Sequence, residues 1–423
     1  MLSDFPPLKV ISSLSYPELS HNNIGLEKSK RTFSPWNASY RYTPLPPGHI
    51  RLLRFKTNPI YSAWKLSFDL ILVSLDDHPP YEALSYRWSS KGGNDKVACD
   101  RGTLQVSANC KAALKHLNKE HRLLWVDAIS INQNDNMENN HQVALMSQIY
   151  SHAERTIAWL GGDADDAASC VADINEAQRY LDGLEDASTL KRKVAMLQDG
   201  WSQGAFYKLL CRDWFSRVWI LQEVALAKEI WVSCGDQTTT WSSFIGALGK
   251  LKTKYRLPKE HWAAWNLETF RKDYQRNERR GVSIHAAMAQ SRQCEASDPR
   301  DKVYALLGVC PELAQEIGEP DYSLSPAVVG ARAQRACFNG RLGVNALYLV
   351  SVGERLEKNI PSWVPDLSTG LKTWPRRPPL STPSDGLATI LPCPSGQDSQ
   401  CLHIKGTFVD TLTSPFEYTH YDI

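Results

Sequence analysis

Between residues 81 and 160 the chain alternates short apolar runs with longer amphipathic ones, and this restricts the fold most. Tyr81–Trp88 reads as a strand, with Ala83 and Ser85 on one face and Leu84 and Tyr86 on the other. Ser107 caps a helix that carries Ala113, Leu114 and Leu117. Leu123–Val126 is a second strand and ends at Asp127. A helix from about Glu138 places Val143, Met146, Ile149, Tyr150 and Ala153 on one stripe. Thr156–Leu160 is a third strand, and Glu229–Ser233 a fourth. Strand–helix–strand alternation predicts an α/β domain built on a parallel sheet, because parallel neighbours need a crossover between them. Ligands of such sheets sit at the carboxyl ends of the strands. Ser85, Asp127, Asn132 and Gln133 fall at or near those ends.

The spacing divides the chain into a loose polar lead over 1–41, the sheet domain over 42–236 with a helical insertion at 163–211, and a mainly helical region over 237–370. A linker rich in Pro, Ser and Gly covers 371–398, and a short β segment covers 399–423. Further strands are expected at Ile50–Phe55 and Leu66–Leu75, with a small hairpin over Val97–Val106. In the helical region, Thr240 caps one helix, and Ser325–Phe338 is another, with Pro326 just inside its start. Asp298 starts another helix, with Arg300, Asp301 and Lys302 expected on its surface.

The stretch Arg212–Val224, RDWFSRVWILQEV, reads as part of one helix from Trp214 to Ala227. Trp219 and Glu223, four apart, then share a face. A carboxylate among indole and aliphatic groups is poorly solvated, so it needs either a hidden partner or a ligand. Composition narrows the classes. A net charge of +2 on 423 residues gives no electrostatic case for nucleic acid. No apolar run has the length of a membrane span. The ten cysteines form no CxxC pair, which points to a reduced, intracellular protein without a disulfide framework or a metal site.

Taken in order, several segments resemble the fungal heterokaryon-incompatibility (HET) domain. They are Tyr81-Glu-Ala-Leu-Ser-Tyr-Arg-Trp88, Leu124-Trp-Val-Asp-Ala-Ile-Ser-Ile-Asn-Gln133, Gln142-Val with Met146 and Ile149-Tyr150, and Trp159-Leu-Gly161. Arg212-x-Trp-Phe-x-Arg-x-Trp-x-x-Gln-Glu223 and Cys234-Gly235 continue the series. Asp298-Pro-Arg-Asp-Lys-Val-Tyr-Ala-Leu-Leu-Gly308, Pro320-Asp-Tyr322 and Pro361-Ser-Trp-Val-Pro-Asp366 resemble segments that follow the domain in that family. Ser89 departs from the family's usual glycine, Ser130 from a frequent cysteine, and Asn139 from a common basic residue.

The resemblance implies fungal non-self recognition and regulated cell death, with self-association or an unidentified protein partner, in the cytoplasm. A more distant likeness is to TIR domains, whose sheet is flavodoxin-like. Ala83-Leu-Ser-Tyr-Arg is similar to their first strand, and Trp219-x-x-x-Glu223 has the spacing of the helix that carries the catalytic glutamate of NAD-hydrolysing members. That likeness implies NAD as a substrate, with no cofactor or metal required. Glu223 would be the catalytic carboxylate and Trp219 a stacking wall; Ser85, Arg87, Trp88, Asp127, Asn132 and Gln133 would be ligand contacts. Two other readings stay open: a self-associating signalling module without turnover, and an accessory protein with neither activity. A catalytic Glu223 should open into a cleft beside Ser85 and Asp127, whereas a structural one should be sealed and paired.

Overall fold

A computed structural model describes residues 38–56, 66–88, 95–100, 102–118, 122–163, 167–181, 205–254, 263–277, 281–340, 343–350, 360–370, 388–390 and 404–406. The polar lead up to residue 37, the loop at Ser89, residues 182–204 of the insertion and most of the linker and C-terminal segment lie outside these residues.

Nine strands form one sheet. They are β1 (His49–Phe55), β2 (Ser67–Ser74), β3 (Glu82–Tyr86), β4 (Asp95–Cys99), β5 (Gly102–Val106), β6 (Leu123–Trp125), β7 (Arg155–Trp159), β8 (Ile230–Cys234) and β9 (Gln237–Thr240). Their order is β5-β4-β2-β1-β6-β3-β7-β8-β9. The middle four, β6-β3-β7-β8, run parallel, as the alternation requires.

The sheet as a whole is mixed, which corrects the expectation of a parallel one. β1 and β2 form an antiparallel pair, and β1 lies antiparallel to β6. β4 and β5 are an antiparallel hairpin joined parallel to β2, and β9 folds back antiparallel on β8. The cause is connection length. A tight turn can only return a strand antiparallel, and the β8–β9 turn uses Gly235 at a φ of +57°.

Alternation in the strands builds a core on each face. Leu53, Leu84, Tyr86, Leu124 and Ile157 pack with Cys110, Ala113 and Leu114 of helix α1 (Ala108–Leu117). Leu52, Ala83 and Trp125 pack on the other face with Met146, Ile149 and Tyr150 of α3 (Asn136–His152), which follows the one-turn helix α2 (Asp127–Ser130). A third cluster runs continuously from Ala158 to Leu367. It joins α4 (Ala167–Leu181), α5 (Ala205–Leu210), α6 (Ile220–Leu226), α7 (Trp241–Lys254) and α8 (Ala263–Arg276) to the later helices α9 (Ile284–Ser291), α10 (Asp301–Tyr304), α11 (Pro311–Ile317) and α12 (Pro326–Asn339). The expected caps at Ser107 and Thr240 form, accepting from the Cys110 and Ser243 amides, and Ser325 likewise accepts from Val328.

The expected helix over Trp214–Ala227 is broken. A 3-10 turn spans Asp213–Ser216, Arg217 is extended, and α6 begins only at Ile220. The break is tertiary. The Glu295 amide donates to the Ser216 carbonyl at 2.6 Å, and the Val218 amide donates to the Glu295 carbonyl at 3.0 Å. A one-residue β bridge thus replaces helical bonds at Arg217. A second correction concerns α10. Lys302 is not on the surface but 5% exposed, its ammonium donating to the Thr369 carbonyl at 3.1 Å.

Candidate functional site

α6 is seven residues long, and its position is fixed at both ends. At its C-terminus the Arg271 guanidinium, on α8, donates to the carbonyls of Val224, Ala227 (2.8 Å) and Lys228 (3.4 Å). These groups would otherwise be orphaned at a buried helix end. On its flank the Gly308 amide donates to the Gln222 side-chain oxygen at 3.3 Å, and with its side-chain amide turned over, Gln222 would instead bridge the Ala305 carbonyl and the Ser147 amide. Gly308 packs so closely here that a Cβ would come within 2.6 Å of the Ser147 side chain and 2.8 Å of Gln222. The Asp298–Gly308 motif therefore clamps the helix that carries Glu223.

Glu223 itself is 1% exposed. Ser85, at the end of β3, donates its hydroxyl to Oε2, and the Trp214 indole donates to that hydroxyl at 2.7 Å. Arg217 reaches both carboxylate oxygens at 3.4 Å. The break before α6 thus places a guanidinium beside the buried carboxylate that follows it. A buried charge left alone is strongly unfavourable, so this pair is one unit.

Above Glu223 opens a cleft of about 1080 Å³. Arg87, Trp88, Asp127 and Gln133 line it from the strand ends, and Arg217, Trp219 and Glu223 from the segment around α6. The Trp88 indole donates to Asp127 Oδ2 at 2.9 Å, and the Ala128 amide to Oδ1 at 2.7 Å. Burial pushes the Asp127 carboxyl up to about 6, with Arg217 opposing and Glu223 reinforcing the shift. Arg87 is paired with Glu295 at 2.9 Å.

The far wall comes from the helical region, through Asp298, Arg300, Asp301 and Tyr322. Asp301 accepts from the Tyr322 hydroxyl at 2.6 Å. Burial raises its carboxyl to about 6, against the hydrogen bonds from Tyr322 and the Trp219 indole. Burial also acts on Asp298, but its bonds to Arg300 prevail and hold its carboxyl below the ordinary value. No group of three or more His, Cys, Asp or Glu among the described residues could hold a metal ion.

Comparison with known proteins finds two likenesses. Residues 81–223 match the family model described as heterokaryon incompatibility protein (HET). The chain is also similar to "Heterokaryon incompatibility protein 6, OR allele" of Neurospora crassa, at 25% identity over 89% of this chain and 66% of that protein. Residues 81–223 are similar to a HET domain. The chain thus spans just under two thirds of that relative's length. No solved structure matches it.

Within the HET domain, the matched segment contains every residue singled out from the sequence. Arg87, Trp88, Asp127, Gln133, Trp219 and Glu223 meet around one cleft. Ser85 lies beneath Glu223, 1% exposed, and acts through it. Asn132 is placed otherwise. Its side chain accepts from the Asn134 amide at 3.3 Å, a local turn bond, and its own amide donates to Glu138 at 2.6 Å. Glu138 in turn forms a buried bidentate pair with Arg51. Asn139 lines the cleft. The sequence reading missed the far wall: Asp298, Asp301 and Tyr322 stand in motifs recognised as accompanying the domain, but nothing in their spacing aimed them at strand ends some two hundred residues earlier.

Proposed function

We propose that the chain acts in fungal heterokaryon incompatibility, as a non-self recognition protein that drives regulated cell death, and that its cleft takes NAD. The observation that carries this reading is that Glu223, Asp127, Trp88 and Trp219 line one cleft at the carboxyl ends of β3 and β6. The parallel strands run in the order β6-β3-β7-β8, and ligands of open α/β sheets sit where the strand order reverses. On this reading Glu223 stabilises the oxocarbenium character that develops at the ribose as nicotinamide leaves. Ser85 and Trp214 hold that carboxylate in place. Arg217 is the group that must turn aside before the carboxylate is free.

One observation favours a second reading. Glu223, at the floor of the cleft, is only 1% exposed and its two oxygens are engaged, which is the arrangement of a structural strut. The chain would then signal by self-association, without turnover. Nicotinamide release by purified protein, wild type against Glu223→Gln, with folding checked by circular dichroism, separates the two. Release lost in the folded variant supports the enzyme. No release from either protein, with association seen by light scattering, supports the signalling module.

A further inference from the structure

Three arginines and six carboxyls line the cleft. Each arginine is already committed: Arg87 to Glu295, Arg217 to Glu223 and Arg300 to Asp298. Asp127, Asp301 and Asp321 remain, and among the described residues none forms an ion pair with a lysine or arginine. Asp321 accepts from the Ser323 amide and hydroxyl in a local turn, which leaves two acids, Asp127 and Asp301. Asp127 faces Arg217, Glu223, Tyr86 and Tyr150, while Asp301 faces Tyr322, Trp219, Asp298 and Arg300. The Trp88 indole donates to Asp127 at 2.9 Å, and Trp219 and Asp301 line the same cleft, the indole close enough to oppose the rise of that carboxyl. Trp88 is 41% exposed and Trp219 half-buried, so both present ring surface beside a carboxylate.

We infer that this cleft recognises a small organic cation, held by two indole–carboxylate couples, Trp88 with Asp127 and Trp219 with Asp301. The inference rests on the cleft being the ligand site, but not on turnover. An aromatic face next to a carboxylate attracts a cation twice, through the ring quadrupole and through charge. The far wall already shows the principle, since the Arg300 guanidinium lies 5.1 Å from the Tyr322 ring centroid. A metal ion is a poor occupant, because the described acids are not grouped to ligate one. A polyanion meets no uncommitted arginine. Burial raises the carboxyls of Asp127 and Asp301, and Arg217 and Arg300 offset it only in part. For NAD, the end that fits between the couples is the positively charged nicotinamide ring, with the diphosphate left toward the mouth.

The test uses the full chain and two probes, 1-methylnicotinamide, which carries a permanent charge, and neutral nicotinamide. Binding is read by calorimetry and tryptophan quenching. The charged probe should bind about tenfold tighter at pH 7. That preference should fall away at pH 5, where both acids take up protons, and it should drop in Asp127→Asn and Asp301→Asn. The pH arm on wild type stands even if a variant fails to fold. Equal binding of the two probes, binding of neither, or a preference that survives both pH 5 and the substitutions would overturn the inference. Nicotinamide release from NAD, measured in the same preparation, keeps the readings apart. Release without charge preference sinks this inference alone, and charge preference without release sinks turnover alone.

Discussion

The pair formed by Arg217 and Glu223 gives the most direct prediction about stability. Arg217→Gln removes the guanidinium that lies 3.4 Å from each oxygen of a carboxylate only 1% exposed. Glu223 keeps the Ser85 hydroxyl, but one neutral donor does not offset a buried charge. Asp127, which Arg217 also helps to hold in its charged form, loses that support. Breaking one side of such a pair costs ~3–5 kcal/mol. That is a large share of the ~5–15 kcal/mol available to a folded domain. Glu223→Gln alone leaves an unpaired guanidinium and should cost somewhat less, because Asp127 still attracts it. The double variant removes both charges, so much of the loss should return, giving a coupling energy of ~1–3 kcal/mol. Urea melts of the four proteins at pH 7 measure the cycle. If Arg217→Gln costs under ~1 kcal/mol, or the two losses simply add, the buried pair does not behave as described here.

Other substitutions follow from the same geometry. Asp127 binds its proton more tightly when folded, with a carboxyl raised from 3.8 to about 6, so the native state holds more protons than the unfolded chain between those values. Stability from this group is therefore present below its unfolded value and is lost as pH rises to about 6; Asp127→Asn should gain up to ~3 kcal/mol relative to wild type across that window, and parallel pH profiles in urea melts would refute this. Gly308→Ala should lower the thermal midpoint, with a cost of ~1–3 kcal/mol, because its methyl group would press on Ser147 and Gln222; an unchanged midpoint would mean that the contact relaxes freely. Glu138→Gln should destabilise by ~3 kcal/mol, since it strands the buried Arg51, and calorimetry showing less than ~1 kcal/mol would contradict that role.

Much of the sheet could be read from the chain because its signals are local. Alternation in Tyr81–Tyr86 and the spacing of Ala113, Leu114 and Leu117 each depend on a few neighbours, and so do the caps at Ser107 and Thr240. The residues around the cleft were legible for a related reason. Asp127 and Arg87 follow strand ends directly, and Trp219 lies one turn before Glu223. What could not be read depends on distant partners. The break at Arg217 is made by Glu295, and the antiparallel seat of β1 against β6 joins Leu53 to Leu124. Asn132 looked like a ligand contact by its place after a strand, but a side-chain amide at such a position can as easily close its own turn. Lys302 looked exposed because its neighbours are charged, whereas a carbonyl of the Trp363 segment takes its ammonium inward.

The cleft proposed to take the ligand is built jointly by the HET domain and the helical region behind it. Hydrogen exchange of the full chain, with and without saturating NAD, measures this directly. Protection should rise together in the peptides around Arg87, Asp127 and Trp219 and in the peptide spanning Asp298 to Asp301. Protection confined to the first three segments, or lying away from all of them, would contradict the joint cleft, and no change anywhere would contradict NAD as its ligand.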